Sequence, residues 1–146
     1  MVYSKPNERD VFINCPFDSS YASMFEALVF AVQDAGFRGR CAKEANNATE
    51  PRITKILRII EECSYGIHDI SCTELDLKSN LPRFNMPLEL GLFWGCQRYG
   101  GRQHRKKGCL VLDRERNRYD LFISDISGQD IACHDGTPEG VIREVR

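Results

Sequence analysis

At 146 residues and 42% hydrophobic content, the chain has the length of one domain and enough apolar side chains to bury a core without metals or disulfide staples. Its net charge of −1 and pI near 6.3 supply no overall attraction to nucleic acid or to acidic membrane surfaces. No apolar run approaches the roughly 20 residues that span a bilayer, and residues 1–10 are polar where a secretory signal needs an apolar centre, so the expectation is one cytoplasmic domain over residues 1–146 with no nucleic-acid or membrane partner.

Residues 10–15 (DVFINC) form a short apolar run bounded by Asp10 and Pro16, and their β-branched and aromatic content predicts a buried strand. A helix follows from Ser19 or Ser20 to Ala35. Its apolar residues Phe25, Leu28, Val29, Val32 and Ala35 recur at helical spacing, residues 18–20 offer N-caps, and Gly36 suits the stop. Residues 37–42 read as a second strand weakened by Arg38 and Arg40, and residues 43–48 as a polar loop. Thr49, Glu50 and Pro51 open a second helix, in which Ile53, Ile56, Leu57 and Ile60 make an apolar stripe facing a core. Residues 64–70 (SYGIHDI) form a third strand whose end carries His68 and Asp69.

Residues 72–84 are long for a connection in a compact α/β domain, which marks them as a functional loop or lid. Asn85 can cap the next helix, Asn85–Tyr99, and Pro87 is tolerated in its first turn. Leu88, Leu90, Leu92, Phe93 and Trp94 make this helix apolar nearly all round, so it should be largely covered. The basic stretch from Arg98 to Lys107, with Gly100 and Gly101, reads as a solvated loop. Residues 109–112 (CLVL) make a fourth strand and residues 130–133 a short fifth, while Thr137, Pro138 and Glu139 start a C-terminal helix that the chain's end would truncate. Strand and helix alternate with no internal repeat, which predicts a flavodoxin-like three-layer α/β/α fold around a central parallel sheet of four to five strands.

The seven cysteines stand singly, with no C-x-x-C pair, and read as reduced thiols acting as small hydrophobes. His104 and His134 lack ligand-spaced partners, and no H-E-x-x-H occurs, so no metal site is expected. The dinucleotide fingerprint, the G-x-x-x-x-G-K-[ST] loop and the G-x-S-x-G elbow are all absent. Hydride transfer through a Rossmann site and Walker-type hydrolysis therefore lose their best support.

In open α/β sheets, ligands bind beyond the carboxyl ends of the strands, where helix N-termini converge. That crevice would collect residues 14–20, 68–73, 83–89 and 113–116. The segment from Asn14 to Ser20 (NCPFDSS) could turn backbone amides toward a phosphate, although it lacks glycine, and its Asp18 is also a natural N-cap. Glu89 has two readings: a carboxylate poised at a ligand, or an acid that complements the helix dipole. Arg83, Asn85 and the long loop meet at the same place, which favours the ligand. Asp69 and Ser71 either bind a sugar hydroxyl or form a turn. His68 should point to the opposite face from Asp69 and fits a satisfied buried histidine. Arg52 and Arg83 each suit an anion clamp or an ordinary surface position.

Val11-Phe-Ile-Asn-Cys-Pro-Phe17, the acidic-ended third strand and Asn85-Met-Pro-Leu-Glu-Leu-Gly91 together resemble the nucleoside 2-deoxyribosyltransferase and bacterial TIR-like superfamily. Deoxyribosyltransferases end a first strand in a Pro-Phe pair and carry a Glu-x-Gly on a later helix. Pro16-Phe17 and Glu89-Leu90-Gly91 match both. TIR domains likewise place a glutamate on a helix after the third strand, and active ones cleave the nicotinamide–ribose bond of NAD. The resemblance spans roughly residues 11–112, and the long segment 72–84 departs from both families.

This resemblance implies Glu89 as catalytic carboxylate and Phe17, Asp18 and Asp69 as ligand contacts; Asn14, Ser71, Arg83 and Asn85 join them as substrate-binding candidates in the same crevice. The implied activity is cleavage or transfer of an N-glycosidic bond in NAD, a nucleotide or a nucleoside, within bacterial antiphage defence. No cofactor is required beyond NAD or a nucleotide as substrate or ligand. The implied partners are a second copy of the chain or a defence-system protein. A glutamate beside the anomeric carbon can stabilise the oxocarbenium character that bond breaking builds, or attack it, without a metal. The alternative is a non-catalytic module that senses a nucleotide signal or self-assembles as TIR-like domains do.

Overall fold

The structure, a computed structural model, describes residues 5–44 and 49–146. Five strands, β1 (Asn7–Asn14), β2 (Arg38–Arg40), β3 (Cys63–Asp69), β4 (Gly108–Asp113) and β5 (Ile131–Cys133), pair in parallel in the order β2-β1-β3-β4-β5. Parallel neighbours need crossovers, and the first three are supplied by α1 (Ala22–Asp34), α2 (Arg52–Glu62) and α3 (Asn85–Tyr99), the β4–β5 crossover by 3-10 turns at Arg118–Leu121 and Ser124–Ile126, with α4 (Pro138–Val145) following β5. α1 packs against α4 and α2 against α3, one pair on each face of the sheet. The three-layer α/β fold expected from the alternation is therefore present.

β1 reads as continuously apolar because both of its faces are covered. Val11 and Ile13 join Leu28, Val32 and Val141 on the α1/α4 side, while Phe12 joins Ile56, Ile59, Ile60 and Phe93 on the α2/α3 side. Full burial of Phe12 and Phe93 contributes roughly 1.5–3 kcal/mol for each ring.

Several local expectations are corrected. β1 starts at Asn7, where it already pairs with Cys63, and β2 contracts to three residues. Arg38 and Arg40, read as weakening β2, are what the strand supplies to its neighbour. Arg38 donates to both carboxylate oxygens of buried Asp10 at 2.8 and 2.7 Å, and Arg40 adds a third bond at 2.9 Å. In α2 the covered edge is Lys55, Ile56, Ile59 and Ile60, whereas Ile53 and Leu57 are exposed, because the helix is rotated toward β1, β3 and α3. α3 is not covered all round: only Met86, Glu89, Leu90 and Phe93 are buried, and Leu88 is 55% exposed on the side away from the sheet.

The basic stretch is not simply solvated either. Lys107 is buried, and its Nζ donates to Cys63 O and, at 2.7 Å, to Ile60 O, supplying donors to orphan carbonyls at the C-terminal end of α2. Among the cysteines only Cys15 and Cys63 are fully buried, and Cys109 is exposed. Of the polar loop expected at residues 43–48, residues 45–48 lie outside the described residues. No helix among the described residues is long and apolar enough to cross a membrane.

The segment between β3 and α3 forms a closed turn. Leu75 and Pro82 make an antiparallel bridge, and Asp76 Oδ1 accepts from the backbone N–H of Lys78 and Ser79 at 3.0 and 2.9 Å. Arg118 secures its beginning to the end of β4, donating to Asp113 Oδ1, Thr73 Oγ1 and Ser71 O at 3.0, 2.8 and 2.6 Å.

Candidate functional site

The strand order reverses direction between β1 and β3, and such a switch point opens a crevice at the strands' carboxyl ends. Asn14, the last residue of β1, is buried there. Its Nδ2 donates to Met86 O at 2.8 Å and lies 2.9 Å from His68 Nδ1. The same amide nitrogen serves both, so the network assigns His68 Nδ1 as acceptor and puts the ring proton on Nε2. The His68 and Phe93 rings meet edge to face at 5.0 Å. Burial pushes the His68 pKa down to about 3, so the ring is neutral. The Asn14 amide nitrogen is thus taken up by protein partners and fixes the start of α3 against β1.

Fixing that end of α3 positions Glu89 one turn further on. Its side chain is 9% exposed, and it forms no hydrogen bond or ion pair with another described residue. Burial pushes its carboxyl up to about 7, against a smaller opposing pull from the Arg52 charge. The helix-dipole reading loses force here. Glu89 is the fifth residue of α3, outside the first turn where the dipole acts.

Glu89 lines a cleft of about 170 Å³ together with Phe17, Asp18, Arg52, Arg83 and Asn85. A second cavity of about 270 Å³ runs under the segment from Cys72 to Leu77 and shares Pro16, Asp18, Arg83 and Met86 with the first. On their common boundary Arg83 NH1 donates to both Asp18 carboxylate oxygens, at 2.7 and 2.8 Å. Asp18 does stand in the N-cap position of the 3-10 turn at Ser19–Tyr21, but its side chain makes the ion pair and no capping bond, and Asn85 is the first residue of α3, with Phe84 in the capping position. Cys15 also lines the cleft, and burial pushes its thiol above the usual range, which removes it as a thiolate nucleophile.

Asp69 and Ser71 are placed differently from the expectation. Both are buried, and Asp69 faces Tyr21, just before α1, and His134, just after β5, while Glu89 lies on the α3 side of the sheet. Asp69 Oδ1 accepts from Ser71 N–H at 2.8 Å, an Asx turn, and Oδ2 accepts from Tyr21 OH. His134 Nδ1 accepts from Gly136 N–H at 3.0 Å, which leaves the proton on Nε2, 3.2 Å from Asp69 Oδ2 and off hydrogen-bond geometry. Burial opposes ionisation of Asp69, but His134, Tyr21 and Ser71 outweigh it and hold the carboxyl below the usual range. The turn reading of Asp69 and Ser71 is the one this geometry satisfies, and neither offers a polar atom to the cleft.

Five of the eight expected site residues thus meet at one cleft: Phe17, Asp18, Arg83, Asn85 and Glu89. Sequence reasoning left Arg52 between clamp and surface, yet it lines the same cleft. It missed Tyr21, Arg118 and the partnership of His134 with Asp69, for which no motif or spacing gives a signal. Among the described residues no group of three or more His, Cys, Asp or Glu side chains could hold a metal. No protein-family model matches the chain, and no curated protein matches it.

Proposed function

We propose that the chain breaks or transfers the N-glycosidic bond of NAD, a nucleotide or a nucleoside, with Glu89 facing the anomeric carbon. The observation that carries this reading is Glu89 itself: nine-tenths buried, unpartnered among the described residues, and set in a cleft at the β1/β3 switch point. A largely buried carboxylate without a protein partner is available to a cationic transition state. In hydrolysis the C1′–N bond breaks with its electron pair leaving on the base nitrogen. Water oxygen bonds C1′, and the proton it sheds goes to the base, or to solvent when the base departs neutral from a cationic nicotinamide. The half-buried ring of Phe17 can pack against a sugar or base, and its edge-to-face contact with Phe25 at 5.5 Å holds its orientation. The sequence resemblance supports the same chemistry and carries the further suggestion of antiphage defence.

The test is a product screen by mass spectrometry over nucleosides, nucleotides and NAD. Free base or nicotinamide should be released by the native chain and not by Glu89→Gln; full activity in that variant removes Glu89 from the mechanism.

A second reading, self-assembly, is favoured by a different observation. Leu75, Leu77, Leu81, Phe84 and Leu88 are all exposed within one segment beside the cleft, and exposed apolar side chains in number are commonly interfaces. Mass in solution across a concentration series decides it: a strict monomer at high concentration, with and without nucleotide, excludes this reading.

A further inference from the structure

Two helices begin at the cleft. α2 starts with Arg52 and α3 with Asn85, and Arg52, Asn85 and Met86 all line the same space as Glu89. Neither helix has a side-chain cap. The first intrahelical bonds are Lys55 N–H to Pro51 O and Leu88 N–H to Phe84 O, so amides of both first turns have no partner within their helices. Such ends favour anions. Arg52 adds a guanidinium that is exposed and has no hydrogen bond or ion pair among the described residues. Arg83 adds another, whose partner is the exposed carboxylate of Asp18. The buried, unpartnered Glu89 carboxyl in the same space is an independent sign that a ligand completes the site.

Size points the same way. A cleft of about 170 Å³ is smaller than the ~300–1,000 Å³ usual for small-molecule sites, but the adjoining cavity of about 270 Å³ shares Pro16, Met86 and the Asp18–Arg83 pair with it. Exposed ion pairs are weak, and a phosphate is a stronger partner for arginine than a solvated carboxylate.

We propose that the ligand of this cleft is a nucleoside 5′-phosphate and not a free nucleoside, with its phosphate held by Arg52 and Arg83 at the two helix N-termini. The phosphate takes the place of Asp18 on Arg83, and parting that pair joins the two cavities into one site of nucleotide size. The orientation of the sugar toward Glu89 rests on the glycosidic reading above; the anion site does not.

Calorimetry on the full chain separates the two. Adenosine, adenosine 5′-monophosphate and ribose 5-phosphate serve as probes, in the Glu89→Gln background so that nothing turns over. The monophosphate should bind at least roughly tenfold tighter than adenosine, and ribose 5-phosphate should bind measurably without a base. Arg52→Gln and Arg83→Gln should each weaken the phosphate-bearing probes by roughly tenfold and leave adenosine unchanged, while Asp18→Asn should tighten them by freeing Arg83. Equal affinity for adenosine and its monophosphate, or equal losses for both in the arginine variants, overturns the proposal. In a parallel assay with Glu89 in place, base release from nucleoside and nucleotide alike, insensitive to Arg52→Gln, likewise overturns it and leaves the glycosidic reading standing. Arginine-dependent phosphate binding with no base released from any substrate supports it and removes the glycosidic reading.

Discussion

Asn14 Nδ2 donates to Met86 O at 2.8 Å, so the last residue of β1 holds the opening turn of α3 in place. Replacing it with leucine leaves His68 Nδ1 buried with no donor, at a cost of roughly 1–3 kcal/mol, and takes from Met86 O the donor it has besides the α3 ladder. Asn14→Leu should lower the denaturation midpoint accordingly, and because α3 carries Glu89, base release per folded molecule should fall as well. An unchanged midpoint would show that the amide contributes nothing to the junction.

The pH dependence of stability follows from Glu89. Its carboxyl titrates near 7 in the folded chain against 4.5 when solvated, so the folded state holds the proton more tightly. That stability is fully present below about 4.5 and is lost as pH rises through 7. Glu89→Gln, which is never charged, should abolish this dependence and be the more stable protein at pH 8, by up to about 3 kcal/mol. Denaturant titrations of both proteins at pH 4.5 and pH 8 measure it.

Activity should run in the opposite sense. If the ionised carboxylate stabilises positive charge on the sugar, base release should climb as pH rises through about 7 and level off above it. Glu89→Gln should cost roughly 10²–10⁴-fold at the plateau. A rate that declines over the same interval would assign Glu89 as the proton donor instead.

Asp69 should behave as a structural residue. Tyr21→Phe removes one donor to it and should cost about 0.5–1.5 kcal/mol, up to about 3 where that donor serves the charge. Asp69→Ala leaves Tyr21 OH and Ser71 N–H without their acceptor and should cost roughly 1–3 kcal/mol for each. Nucleotide affinity per folded molecule should survive Tyr21→Phe. Loss of affinity with the fold intact would restore Asp69 to the site.

The parts legible in the sequence are those fixed by local chemistry. The start of α3 at Asn85 follows from Asn-Met-Pro, and β3 is displaced by one residue from its expected bounds. Glu89 was legible because strand–helix order alone carries the start of α3 to the crevice. Asn14, Asp18 and Asp69 were not separable, since each is a short polar residue at a strand end or just beyond it. What distinguishes them is the neighbour that packs on top: Met86 over Asn14, Tyr21 and His134 over Asp69, and only an exposed arginine beside Asp18. Lys107 was hidden for a related reason. Nothing in a run of basic residues marks the one whose stem is buried against the end of a helix.

Consecutive residues of β3, His68 and Asp69, send their side chains into networks with no hydrogen-bonding partner in common. A substitution in one network therefore removes no hydrogen bond of the other. A library that varies Arg83 to alter ligand preference leaves every hydrogen bond of Tyr21 and Asp69 in place, whereas one that also varies Phe17 or Asp18 disturbs residues packed on or bonded to Tyr21.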